Sequence, residues 1–458
     1  MLPAAGRGRI GSGRKVSVKV PVLRPRPQGG KQSKLPRVMM LSLSLTQTQT
    51  LHKIICRCVP QHSTQTMRFN SLCIISLVGG ASAFSGSTTK NLVVPGLQNG
   101  MDFCFLGTSD LEVSKICMGT MTFGEQNTLE EGVEQLNLAF DNYGINFIDT
   151  AELYPVPGKP ETQGLTDKTV AAFMKNRNRR AIVLATKVCG FSDRMNWMPR
   201  KQPGTFTDLT KDQILYSVDA SLQRLGTDYI DLLQLHWPSR YTGGLFGQPD
   251  FSPSQEKKGV PFEETLEALQ KLIQEGKVRY VGVSNETPFG VCSLVELSKN
   301  NPQKYPRIIS IQNSYSLVVR KDFEAGLAEA CFHHQVGLLP YSPLAGGSLT
   351  NKYSDKENIP EKARYTMFRG FMDRYYGSEN EAAVKAYSNI ATARGMSPAQ
   401  LALSWCYHRE HVASTIIGAT SITQLKENIE AYDIRLDDET LADINRVYKK
   451  YTDPTKFA

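Results

Sequence analysis

Eight short apolar runs punctuate the chain beyond Leu111, each followed by polar residues and then by a stretch with helical periodicity. They cover residues 115–121, 146–151, 181–188, 229–236, 278–284, 308–313, 336–342 and 414–419. Most are rich in Ile, Val and Leu without alternation, which is the pattern of strands buried on both faces of a parallel sheet. Between them lie helices with recognisable ends. One is predicted over 212–225, with Thr210 as its N-cap and Gly226 as its stop, and another over 262–275, between Pro261 and Gly276. Eight β-then-α units with right-handed crossovers close into an α/β fold of the (β/α)₈ TIM-barrel type. A doubly wound open sheet fits less well, because no GxGxxG follows the first strand. The segment MDFCFLGTSDLEVS (101–114) predicts a hairpin turning at Gly107–Asp110, placed to plug the N-terminal end of the barrel. A last helix is expected over 436–449.

Charge divides the chain in two. Residues 1–100 hold fourteen Lys and Arg and no acid, whereas residues 101–458 are mildly acidic, at about −5. The formal surplus of +9 therefore belongs to the leader. A folded body without a basic surplus argues against nucleic-acid binding, which needs clustered Lys and Arg. The leader's composition predicts disorder over residues 1–66. At Met67 a different pattern begins: Met67-Arg68, the apolar run Leu72–Val78, and the small-residue junction Ala81-Ser82-Ala83 before Phe84. The run is too short for a stable membrane span. Residues 67–83 thus read as signal-like, and ASAF resembles the junction of bipartite plastid-targeting leaders, with Met67 as the functional start. A presequence from Met1, mitochondrial or plastid, and an inert tail on a cytoplasmic protein are the alternatives. None of the six body cysteines (104, 117, 189, 292, 331, 406) forms a CxxC or a Cys/His ligand spacing, so neither a disulfide nor a metal is expected.

Candidate chemistry sits where three successive strands end. Asp149 closes the second run and delivers Tyr154 on the following loop; Lys187 closes the third, and His236 the fourth. In a parallel barrel these positions converge on one mouth. Reduction of a carbonyl adds hydride to carbon and a proton to oxygen, so an acid must stand near that oxygen. A phenol is a poor donor near neutral pH unless a cation stabilises its phenolate. Lys187 offers that cation, Asp149 can hold the ammonium, and His236 can orient the carbonyl. Taken singly, each has an ordinary explanation: a surface tyrosine, a solvated lysine, a core histidine, a turn-capping aspartate. Taken together and in this order, they read as a site. The insertions 189–210 and 237–260 follow the third and fourth strands and should overhang the mouth, and the basic, aromatic stretch 351–377 follows the seventh.

The blocks GTMTFGEQN (119–127), ELYPVPGKPETQGLT (152–166), GVSNET (282–287) and GATSITQLKENIE (418–430) resemble the aldo-keto reductases, in particular the Tas-type NADPH-dependent branch, over about residues 101–455. The resemblance implies a (β/α)₈ barrel that reduces aldehydes and ketones to alcohols with NADPH as hydride source and Tyr154 as proton donor. It also implies a cofactor site. Thr120, Met121 and Asp149 would line it, Ser284, Asn285 and Gln312 would meet the nicotinamide carboxamide, and Tyr341 would stack on the ring. The run Ser342, Pro343, Leu344, Ala345 and Gly346 would approach the pyrophosphate. Lys352 and Arg364 would contact phosphates, and Gly418, Thr420, Gln424, Glu427 and Asn428 the adenosine end at a helix start.

Two departures stand out. Thr420 replaces a basic residue or serine common in relatives, shifting the 2′-phosphate onto Lys352 and Arg364. Pro155-Val156-Pro157-Gly158 follows Tyr154 where much of the family has glycine, which should stiffen and narrow the mouth. Partners are expected to be small carbonyl substrates, without nucleic acid. Some members of the family are non-enzymatic subunits of potassium channels, and a Schiff-base reaction through Lys187 is a third reading. The sequence specifies neither the natural substrate nor the oligomeric state.

Overall fold

The computed structural model describes residues 100–244, 246 and 250–456. The readings of the leader, including the signal-like segment 67–83, fall outside the described residues. Two antiparallel strands come first, β1 (Phe103–Phe105) and β2 (Glu112–Ser114). The eight apolar runs then supply eight parallel strands: β3 (Ile116–Gly119), β4 (Phe147–Asp149), β5 (Val183–Val188), β6 (Ile230–Leu235), β7 (Val278–Ser284), β8 (Ile308–Gln312), β9 (Gly337–Leu338) and β10 (Thr415–Ile417). Their order in space is β10-β3-β4-β5-β6-β7-β8-β9. The seam between β9 and β10 is joined by backbone bonds, Ala413 N–H to Leu338 O at 2.9 Å and Ile416 N–H to Pro340 O at 2.8 Å. The predicted (β/α)₈ barrel is the observed fold.

Strand β9 is much shorter than the predicted 336–342. Pro340 has no N–H to give a ladder, and at Ser342 the backbone turns left-handed, with φ 54°. The chain therefore leaves the sheet just where the cavity-lining loop begins. The helix Lys211–Leu225 starts at Thr210 as expected, but the Thr210 side chain makes no capping bond. Gly226 stops it in the left-handed conformation, with φ 64°. The helix Phe262–Gln274 ends one residue earlier than predicted, with Glu275 as its C-cap.

The hairpin closes the bottom of the barrel. Leu106, Leu111 and Val113 are buried against Cys117, Phe147, Ala185, Leu232, Ile309 and Leu339, the inward residues of the strands. Burying three such side chains contributes roughly 1.5–3 kcal/mol each. Its turn needs Gly107: a Cβ there would lie 2.3 Å from the Ile309 carbonyl oxygen, at φ +58°. The barrel interior is thus filled by apolar side chains at one end, which leaves the other end for polar groups. No helix among the described residues is long and apolar enough to cross a membrane.

Candidate active site

At the open end the inward side chains of β4, β5, β6 and β8 are Asp149, Lys187, Gln234 and Gln312, all buried. The Lys187 ammonium donates to Asp149 Oδ2 at 2.5 Å, to the Thr150 carbonyl at 2.9 Å and to the Tyr154 hydroxyl oxygen at 3.1 Å. All three ammonium hydrogens therefore have acceptors, which is what a fully buried lysine requires. Burial works against the Lys187 charge, but Asp149 and Tyr154 together outweigh it and hold its pKa above the ordinary value. Asp149 Oδ1 accepts from Gln234 Nε2 at 3.0 Å and from Gln312 Nε2 at 2.9 Å.

The Tyr154 hydroxyl faces the Lys187 ammonium across that 3.1 Å contact. Burial raises its pKa, and Lys187 pulls it back without overcoming burial. In the free protein the phenol holds its proton, so the cation stabilises the phenolate left after donation rather than creating one beforehand. His236 packs edge-on to Tyr154, with ring centroids 5.7 Å apart. Burial, reinforced by Lys187, pushes the imidazole pKa well below its ordinary value, so the ring is neutral. Among the described residues, His236 Nδ1 is buried without a hydrogen-bond partner.

Tyr154 is carried on a braced loop that sequence reading missed. Glu152, two residues earlier, is buried and accepts from both terminal nitrogens of Arg200 at 3.0 and 2.9 Å. It also accepts from Ser217 Oγ at 2.7 Å and the Cys189 N–H at 2.8 Å. This ties the Tyr154 loop to the insertion after β5. The partners lie 37 to 65 residues away in sequence, so no local pattern announces them. Val156, in the Pro155–Pro157 segment, lines the cavity.

These groups open into a cavity of about 1050 Å³. Beside Tyr154 and His236 its wall is apolar: Leu153, Phe191, Met195, Trp237 and Phe246, drawn largely from the two insertions. Trp237 is fixed by its indole N–H, which donates to the Phe191 carbonyl at 2.8 Å. Every cofactor residue expected from the sequence lines this cavity except Ala345, whose side chain is buried in the core behind it. Several bond first to one another. Thr120 Oγ1 donates to the Asp149 carbonyl at 2.8 Å, and Ser284 Oγ to the Gln312 carbonyl at 2.7 Å. Asn285 donates to the His236 carbonyl at 2.8 Å and accepts from the Tyr341 hydroxyl at 2.6 Å.

The far end of the cavity is cationic. After β9 the chain winds through left-handed residues, Ser342, Ala345, Gly346 and Gly347. Gly347 is needed there because its φ of +99° is one that L side chains rarely adopt. Lys352 and Arg364 line this end, and among the described residues neither forms an ion pair with a carboxylate. Burial lowers the pKa of each, and the charge of Arg364 lowers that of Lys352 further. Gly418 and Thr420 lead into the helix Ile422–Glu430, which carries Gln424, Glu427 and Asn428; Ser421 caps it, accepting from the Gln424 N–H at 3.3 Å.

Comparison with known proteins agrees with this architecture. The family model described as "Aldo/keto reductase family" matches residues 115–449. "Protein tas" of Escherichia coli (strain K12) is 44% identical over 347 residues, covering 76% of this chain and 97% of its own. An "L-glyceraldehyde 3-phosphate reductase" of Escherichia coli O157:H7 is 31% identical over 356 residues, covering 76% and 92%. A "Putative voltage-gated potassium channel subunit beta" of Schizosaccharomyces pombe is 32% identical over 355 residues, covering 75% and 92%. With a barrel closed by parallel strands, a polar mouth and matches of this length, the chain belongs to the aldo/keto reductase family, oxidoreductases that act on carbonyl groups.

Proposed function

We propose that this protein reduces aldehydes or ketones to alcohols with NADPH, and that Tyr154 supplies the proton. The observation that carries the reading is the buried contact of one ammonium, Lys187, with both Asp149 and the Tyr154 hydroxyl, at 2.5 and 3.1 Å. A nicotinamide bound in the cavity would supply the hydride. The chain's own residues handle the proton. Tyr154 holds it on a neutral phenol until the carbonyl oxygen becomes basic, and gives it up at the moment a negative charge develops there. The phenolate left behind is stabilised at once by Lys187, without solvent reorganisation. Neutral His236 can offer the same oxygen a hydrogen bond without competing as an acid.

The choice of NADPH over NADH rests on two half-buried cations, Lys352 and Arg364. Among the described residues neither Lys352 nor Arg364 has an ion-pair partner, and burial disfavours the charge of both, which an anion in the cavity would relieve. A 2′-phosphate or a pyrophosphate fits that need, and the helix start at Ser421 adds further N–H donors. The apolar wall of Phe191, Trp237 and Phe246 favours a substrate whose carbonyl carries an apolar body. Purified protein mixed with NADPH and a panel of aldehydes, ketones and quinones tests the proposal, with cofactor oxidation followed by absorbance. Turnover of an apolar aldehyde supports it. No turnover of any carbonyl, with tight NADPH binding, would favour the auxiliary-subunit reading that the potassium-channel relative suggests.

A further inference from the structure

We infer that Gln234 is a positioning residue for proton donation, acting on Tyr154 through Asp149 and Lys187. The inference rests on the proposed carbonyl reduction and deepens it. Gln234 lies on β6, two residues before His236, and is fully buried. A buried primary amide is costly unless its donors and acceptor are used. Here its Nε2 donates to Asp149 Oδ1 at 3.0 Å, and its Oε1 accepts from Gln312 Nε2 at 3.0 Å. The Asp149 carboxylate is thereby held from both sides, with Lys187 on Oδ2 and two amides on Oδ1.

The two amides are not equivalent. Gln312 lines the cavity, and Gln234 does not. A ligand in the cavity can compete for Gln312, whereas nothing that enters the cavity reaches Gln234. Gln234 therefore keeps Asp149 from rotating when the site fills. A rotation would move the Lys187 ammonium away from Tyr154, because the 2.5 Å bond to Asp149 Oδ2 is the ion pair that anchors it.

The test uses the full chain and the variants Q234M and Q234E, alone and in a D149N background. Q234M keeps the length of the side chain and removes its donor. It should lower kcat about tenfold, the worth of one hydrogen bond to a charged group, while leaving the KM for NADPH within about twofold. In D149N, Q234M should cost nothing further, because its effect runs through the carboxylate. Q234E should recover activity as the pH falls, since the protonated carboxyl can again donate to Asp149. A readout independent of turnover is the ionisation of Tyr154, taken as the ultraviolet difference between proteins with and without Y154F. Q234M should move it to higher pH as Lys187 loosens. If the wild type reduces no carbonyl but this shift appears, the proposed reaction fails and the positioning role stands. Retention of more than half of wild-type kcat by Q234M with no tyrosine shift would overturn the inference. So would multiplicative losses in D149N, or failure of both variants to fold, either of which would make the amide merely structural.

Discussion

The two ends of the cavity treat charge in opposite ways. At the Tyr154 end each buried ion has its partner: Lys187 is paired with Asp149, and Glu152 with Arg200. At the Lys352 end two cations stand together, among the described residues without an ion-pair partner, and burial disfavours both. A paired, hydrogen-bonded cluster is preorganised and does not need a ligand to hold its shape. An unpaired cluster stores unfavourable energy that an anion relieves on binding. The first arrangement suits chemistry, where a proton must move without rearrangement. The second suits recognition, where the free energy of ligand binding is the point.

Breaking the paired end should have the largest effect. Lys187→Met is expected to lower kcat by about 10²–10⁴-fold, the usual worth of an organised acid. It should also destabilise the fold by about 3–5 kcal/mol, because Asp149 is left buried without its partner. Adding Asp149→Asn should restore much of the melting temperature and none of the activity, which separates folding from chemistry. At the unpaired end the opposite is expected. The double variant of Lys352→Ala and Arg364→Ala should fold at least as stably as the wild type when no ligand is present. It should lose most of an NADPH-over-NADH preference that two charge-assisted contacts of about 1.5–3 kcal/mol would set at 10²-fold or more. Fluorescence titration with both cofactors measures this, and an unchanged preference would move the phosphate site elsewhere.

A smaller effect concerns His236. Its pKa lies well below 6.5, so the ring stays neutral as the pH falls through the range where an ordinary histidine would charge. The pH profile of kcat should therefore show no limb near 6.5 that His236→Gln abolishes. In the folded protein the depressed pKa also means that the unfolded chain binds the proton more readily. Stability from this group is thus present above pH about 6.5 and declines below it, towards the lowered pKa.

Much of this was legible in the sequence, for definite reasons. Parallel strands buried on both faces carry their own signature, and β7 coincides with its predicted residues, Val278–Ser284. Asp149, Tyr154, Lys187 and His236 were visible because polar residues at the ends of apolar runs are conspicuous. Gln234 was not, because one amide inside DLLQLH looks like a tolerated exception until its bond to Asp149, 85 residues earlier, is seen. The Glu152–Arg200 brace was hidden by the same kind of distance. The length of β9 was misjudged because an apolar run containing Pro340 was read as continuous. The protonated state of Tyr154 depends on the balance of burial against one cation, which only coordinates supply.

The central claim is that the phenol of Tyr154 is the acid of this site, and Tyr154→Phe tests it with the least disturbance. The substitution removes one oxygen and leaves the ring, the Glu152 brace and the cofactor end intact. With NADPH and a reactive aldehyde, the account predicts a kcat lowered by about 10²–10⁴-fold, with the affinity for NADPH changed less than about twofold. A variant that keeps more than half of wild-type kcat would contradict the account, whatever its cofactor affinity.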